Sequence, residues 1–156
     1  MTDELMRTTD RVLVRNATWL DGSRRDLRIQ DGLVEEISAT KLSWDDLSSE
    51  IEATGHVILP GLVEAHCHLD KTLFGRDWVP HAAEDTLASR ISTDRRMRSE
   101  LGLPDLDAIR ALLTRMVATG TSLVRTHTDV DPEVGLEVIR LVREAAPQLE
   151  RGVRLQ

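Results

Sequence analysis

The apolar pattern of this chain changes period repeatedly after Val57, and that alternation constrains the fold more than any single residue. Val57-Ile58-Leu59, continuing to Val63, has strand character. Leu106, Ile109, Leu112, Leu113, Met116 and Val117 then recur at helical spacing, with Asp105 placed as N-cap and Gly120 as C-terminal stop. Thr121 to Asp129 returns to strand character. Asp131 and Pro132 are expected to open a second helix, with Val134, Val138, Leu141, Val142 and Ala145 facing a core and Pro147 ending it. Gly152 to Gln156 begins a further strand. This order is the βαβ alternation of an α/β protein with a parallel sheet or barrel, because parallel strands require a crossover.

The first sixty residues read differently. Residues 1–10 are polar and expected to be loose. Arg11 to Trp19 alternates, with Val12 and Val14 on one face and Leu13, Ala17 and Trp19 on the other. Leu27 and Ile29 lead to Asp31-Gly32, and Leu33 to Ile37 continues beyond. Asp-Gly between two β-like runs predicts a hairpin, since a type I′ turn needs positive φ at both central residues. Residues 38–50 are irregular, and strand character resumes at Ile51 to Thr54. The predicted organisation is a loose N-terminus (1–10), a small β-module (11–60), and an α/β region (61–156). Glu84 to Glu100 predicts a charged helix with a thin apolar stripe at Leu87 and Ile91 and its charges in solvent.

Composition excludes several functions. A net charge of −7 disfavours nucleic acid and anionic membranes, which select basic clusters. The run Arg95-Arg96-Met97-Arg98 is too short to reverse this. The single cysteine cannot form an internal disulfide. The acidic start MTDELMRTTD is not a secretory signal, and no apolar run approaches the ~18 residues of a membrane span. A cytoplasmic protein with a small-molecule substrate is expected.

The chemistry is carried by Pro60-Gly-Leu-Val-Glu-Ala-His66-Cys67-His68-Leu-Asp70-Lys71. On a strand, side chains alternate between faces. His66 and His68 therefore share one face, and Cys67 takes the other, where packing is favoured over ligation. Two imidazoles at a strand end make half of a metal site. Glu64 lies on their face, two residues before His66, and Arg125 lies two before His127. If both faces turn inward, Glu64 and Arg125 are expected to form an ion pair, since an unpaired buried carboxylate is costly.

The β-module, the turn Asp31-Gly32, the phrase ATGHVILPGLVEAHCHLDKT and the later VRTHTDVD together resemble the amidohydrolase superfamily. Within it they look most like the cytosine deaminase group and its s-triazine relatives of the N-isopropylammelide isopropylamidohydrolase kind. The similarity runs from about Val12 to Gln156. It implies the start of a (β/α)8 TIM-type barrel preceded by a small β-sandwich module, the barrel being incomplete in this chain. A whole barrel takes roughly 250 residues. The resemblance makes His66 and His68 ligands of one divalent metal ion, Zn²⁺ or Fe²⁺, a choice imidazole does not decide. The site they begin is incomplete here: the family's later His, Asp and proton-shuttling Glu positions have no match in this chain, so no catalytic residue is carried over. Lys71 is not the carboxylated lysine of some family members, which belongs to a later strand.

Other positions keep two readings. Asp70 either orients a ligand from behind or caps the following loop. His127 and Asp129, at the second strand's end, are either pocket residues or a hydrogen-bonded His and a turn Asp. Trp78 and His81, on the loop after the first strand, either meet substrate or only cover the surface. His56 sits at the opposite end and is given no function.

The expected activity is metal-dependent hydrolysis of non-peptide carbon–nitrogen bonds, as deamination of a small cytosine-like or triazine-like heterocycle. Hydrolysis of a cyclic or acyclic amide is the alternative within the superfamily. A truncated chain, inactive without a complementary chain, is the alternative outside it. A homo-oligomer is left open for a full-length protein.

Overall fold

A computed structural model describes residues 10–45, 49–145 and 154–156. The expectations for residues 1–9 and Pro147 lie outside the described residues. The fold is mixed α/β, and the chain divides into two compact units, Met1–Pro60 and Gly61–Gln156.

In the first unit, β1 (Arg11–Thr18), β2 (Arg24–Gln30), β3 (Leu33–Ser38) and β4 (Ser49–Glu52) form one sheet in the order β3-β2-β1-β4. β1 and β2, and β2 and β3, are antiparallel, whereas β4 joins β1 in parallel. The β2–β3 turn has φ of 53° at Asp31 and 79° at Gly32, as the hairpin reading requires. The described residues of this unit form a single sheet, and the second, facing sheet that a sandwich needs is not among them. One expectation is corrected: the predicted faces of β1 change midway. The pairing register shifts between Val14 and Ala17, with Asn16 at a φ of 54°. Such a bulge inserts one residue and reverses the alternation. Val12, Val14, Ala17 and Trp19 consequently join one cluster with Leu27, Ile29, Ala53 and Ile58.

The second unit is built on β5 (Leu62–Cys67), β6 (Thr121–Thr126) and β7 (Arg154–Leu155), all parallel and in that order. A 3₁₀ turn, Leu69–Lys71, follows β5. Helices α1 (Leu87–Leu101) and α2 (Leu106–Ala118) connect β5 to β6, and α3 (Glu137–Ala145) follows β6. Asp105 caps α2, accepting from the Asp107 and Ala108 N–H groups at 2.9 and 3.3 Å. Leu69, Ile109, Leu113, Val124, Val142 and Ala145 make the core, with Cys67 packed against it. Cys67 therefore lies on the helix side of the sheet. Burial is the main cause that holds its thiol above the ordinary value.

Helix α3 starts later than the sequence predicts. Asp131 Oδ1 accepts from Glu133 and Val134, but this caps a turn. Gly135, at a φ of 56°, interrupts right-handed helix before Glu137. β5 likewise begins at Leu62 rather than Val57, with one isolated bridge from Val57 to Thr18. Pro60, which lacks an N–H, cannot sustain the ladder between them.

Helix α1 keeps Leu87, Ile91, Asp94 and Arg98 on one face, but only the later part of that face is covered. Leu87 and Ile91 are exposed, whereas Thr93 and Arg98 are buried. The inward stripe is ionic. Asp94 Oδ2 lies 3.0 Å from Lys71 Nζ, and Arg98 Nη1 lies 2.9 Å from Asp131 Oδ2. The expectation that this charge run is only a solvated face is corrected: Asp94 and Arg98, one turn apart, are anchors.

Candidate functional site

The alternation of β5 places His66 and His68 together at the strand's C-terminal end, with ring centres 5.6 Å apart. On β6, Val124 points into the core, which turns Arg125 and His127 to the other face. The His127 N–H donates to the Cys67 carbonyl at 2.8 Å, locking the two strand ends side by side. His127 stacks on His66, with centres 4.2 Å apart and planes 28° apart, and its ring centre is 5.9 Å from that of His68. Burial, then the adjoining His66, Arg125 and His68, hold the His127 imidazole below its ordinary value.

Asp70 is 2% exposed. Its Oδ2 accepts from the Asp129 N–H at 3.1 Å, a second tie between the strand ends. Its Oδ1 has no hydrogen-bond partner and faces His68 Nδ1 at 3.7 Å, itself buried and unpartnered. Asp129 Oδ1 is 3.9 Å from the same nitrogen. Asp129 Oδ2 is 2.5 Å from Lys71 Nζ and 3.8 Å from Arg98 Nη2. The Lys71 hydrogen bond, foremost, holds the Asp129 carboxyl below the ordinary range. Burial works against the Lys71 ammonium, but Asp129 and Asp94 outweigh it and raise its value. His81 Nε2 reaches Asp94 Oδ1 at 2.8 Å, which brings the loop after β5 into this network, while Trp78 stays 84% exposed.

The structure thus gathers His66, His68, Asp70, His127 and Asp129 at one sheet end. It does not join Glu64 to Arg125, and that expectation is corrected. Glu64 Oε1 accepts from the His66 N–H at 3.0 Å, and Arg125 is exposed. Glu64 pairs with the core residue Val124 and shares its face, while Arg125 takes the opposite one, because the register shifts between Glu64 and Cys67. Sequence reasoning missed Asp94 and Arg98. They continue the Leu87–Ile91 stripe at helical spacing, which was the available signal, but the spacing does not say that the charged part of the stripe is the covered part.

The two strand-end histidines fit a divalent metal. Two imidazoles sharing an ion through bonds of about 2.1 Å keep their ring centres within ~6.5 Å, and 5.6 Å satisfies this. The orphaned pair of His68 Nδ1 and Asp70 Oδ1 is the arrangement by which a carboxylate fixes the tautomer of a ligating histidine, leaving Nε2 for the ion. His127 stacks its ring face on His66 beside this pair. Among the described residues, no group of three or more His, Cys, Asp or Glu side chains has geometry suited to a metal ion. Also among them, no helix is long and apolar enough to cross a membrane.

No family model matches the chain. Its neighbours among solved structures are amidohydrolase-superfamily deaminases that cover most of its length. N-isopropylammelide isopropylaminohydrolase from Burkholderia multivorans superposes with a TM-score of 0.78 at 33% identity, over 94% of this chain and 36% of that one. The 5-methylcytosine deaminase from Klebsiella pneumoniae gives a TM-score of 0.65 at 25% identity, over 92% of this chain and 35% of that one. In sequence, the uncharacterized protein YahJ of Escherichia coli K12 is 26% identical over 132 residues, covering 83% of this chain and 29% of that protein. The chain therefore spans about a third of the length of the relatives it matches.

Proposed function

We propose that this chain carries the first strand ends of a metal-dependent hydrolase of non-peptide carbon–nitrogen bonds, acting as a deaminase or aminohydrolase on a small nitrogen heterocycle. The hydrolase kind is supported by the aminohydrolase and deaminase neighbours. The metal dependence rests on one observation above the others: the His66–His68 pair, with His68 Nδ1 set against the buried, half-satisfied Asp70. A bound Zn²⁺ or Fe²⁺ supplies Lewis acidity and activates water at neutral pH. His66 and His68 would hold it. Asp70 would keep the His68 proton on Nδ1. Lys71 and Arg98 neutralise Asp129 at the rim of the same face. A catalytic zinc site uses about three protein ligands with one open position, so the reading requires further ligands from residues outside this chain.

Zinc titration of the 156-residue chain, beside His66→Ala and His68→Ala, tests the ligand assignment. Binding that both substitutions weaken supports it; binding indifferent to both defeats it. The reaction class is tested by assaying ammonia or amine release from aminopyrimidines and s-triazines against formation of a ring-opened acid from cyclic amides. Ammonia or amine release supports the deaminase reading, and a ring-opened acid favours the amide-hydrolase alternative. Histidine-dependent zinc binding without turnover favours a chain that acts only with a complementary one.

A further inference from the structure

We propose that Asp94 and Arg98 of α1 are positioning residues for His68, acting through Lys71 and Asp129. The inference rests on the reading of His68 as a metal ligand. Two carboxylates flank His68 Nδ1, Asp70 Oδ1 at 3.7 Å and Asp129 Oδ1 at 3.9 Å. A neutral imidazole carries one hydrogen, so at Nδ1 it serves one acceptor at a time. The two carboxylates are not equivalent. Asp70 is buried with Oδ1 unpartnered. Asp129 already answers to two cations, Lys71 Nζ at 2.5 Å and Arg98 Nη2 at 3.8 Å.

Both cations are set by α1. Asp94 Oδ2 holds Lys71 at 3.0 Å, and Arg98 belongs to the helix and is fixed by Asp131 at 2.9 Å. Asp94 and Arg98 lie four residues apart and continue the face that Leu87 and Ile91 begin; the covered part of that face is the ionic one, while Leu87 and Ile91, nearer the helix start, remain exposed. A helix that docks by charge gains little stability from doing so, because burying ion pairs costs most of what they return. What the arrangement does provide is a fixed Asp129. With Asp129 tied to Lys71 and Arg98, the His68 Nδ1–H is left to Asp70, and Nε2 stays free to ligate. Without the α1 anchors, Asp129 competes with Asp70 for His68 and the ring loses its single orientation. His81, 2.8 Å from Asp94 Oδ1, draws on the same anchor.

The test uses the 156-residue chain, labelled with ¹⁵N, and long-range imidazole spectra at about pH 8, above the ordinary imidazole value of ~6.5. Wild type is expected to show His68 protonated on Nδ1. Asp94→Asn and Arg98→Lys should keep the proton on Nδ1 but divide it between two acceptors, read as a second or broadened His68 Nδ1–H signal, with about tenfold weaker affinity where zinc binds, the low end for an outer partner. Asp94→Glu should restore the single signal. Asp85→Asn, which removes an exposed carboxylate paired with Arg90, should change nothing. An unaltered His68 Nδ1–H signal in both Asp94→Asn and Arg98→Lys overturns the inference, as does a wild-type His68 protonated on Nε2. Failure of the wild-type chain to bind zinc through His66 and His68 defeats the metal reading instead, and the Nδ1–H comparison still decides this one.

Discussion

Among the described residues each unit buries one aspartate, Asp26 at 7% exposure and Asp70 at 2%, and the two are treated differently. Asp26 is fully engaged. Its Oδ1 accepts from the Asn16 N–H at 3.0 Å, and its Oδ2 accepts from the Leu42 N–H at 3.0 Å and from Arg15 Nη1 at 3.1 Å. Arg15 also donates to the Leu42 carbonyl and to both oxygens of Glu50. Asp70 has one oxygen engaged and the other idle beside an idle imidazole nitrogen. A buried carboxylate with both oxygens answered is part of the fold. One left half-answered is held open for something else, because native interiors rarely tolerate an orphan without a reason. The contrast assigns structure to the first aspartate and chemistry to the second.

The contrast is broken or sharpened first at Asp26. Asp26→Ala strands the Arg15 guanidinium and two backbone N–H groups, and should cost about 3 kcal/mol of stability or more, read by urea denaturation. A loss below about 1 kcal/mol would mean that the cluster is ornamental. The effect must depend on pH. Burial raises the Asp26 carboxyl, but the Asn16 and Leu42 N–H groups and Arg15 outweigh it and leave its folded value below the ordinary one. A depressed folded value gives stability that is present above the unfolded value of about 3.9 and lost as pH falls through the folded value. The stability gap between wild type and Asp26→Asn should therefore be widest near neutrality and shrink below about pH 4.

Asp70 should show the opposite profile. Asp70→Asn keeps an acceptor for the Asp129 N–H but presents an amide N–H₂ to His68, which forces the proton onto Nε2. Zinc affinity should fall by about 100-fold, near the upper end for an outer partner, with a stability change within about 1 kcal/mol. Calorimetric titration beside a melt separates the two. A variant that melts early but binds zinc normally would move Asp70 into the class of Asp26.

These differences were unevenly legible in the sequence. The Asp31-Gly32 hairpin was readable because its turn demands positive φ at both residues, a local requirement. The His66–His68 juxtaposition was readable because strand period is two. The bulge at Asn16 was not, since it depends on how β1 pairs with β2, and it reversed the predicted faces. The role of Asp70 was left between two readings, and the geometry shows it both tying the strand ends and facing His68. The α1 network was invisible because Lys71, Asp94, Asp129 and Asp131 are far apart along the chain, and a helix with few apolar residues announces no inward face.

The smallest effect belongs to the pair that the sequence predicted and the structure does not contain. Glu64 pairs with Val124, whose side chain points into the core, whereas Arg125 takes the other face with the histidines; the register shift between Glu64 and Cys67 breaks the alternation that the sequence reading assumed. Glu64 instead turns to its own strand, accepting from the His66 N–H, and Arg125 stays in solvent. In this chain neither side chain suffers the desolvation that would make pairing worthwhile. Glu64→Gln retains an acceptor for that N–H, and Arg125→Ala removes no partner. Each should shift stability by no more than about 0.5 kcal/mol, and the double variant should equal their sum within about 0.5 kcal/mol. A coupling energy well above that in the double-mutant cycle would show that the two groups meet in solution. Glu64 and Arg125 would then be a buried pair of the same kind as Arg15 and Asp26, and the open face of β5 would be as closed as the first unit's sheet.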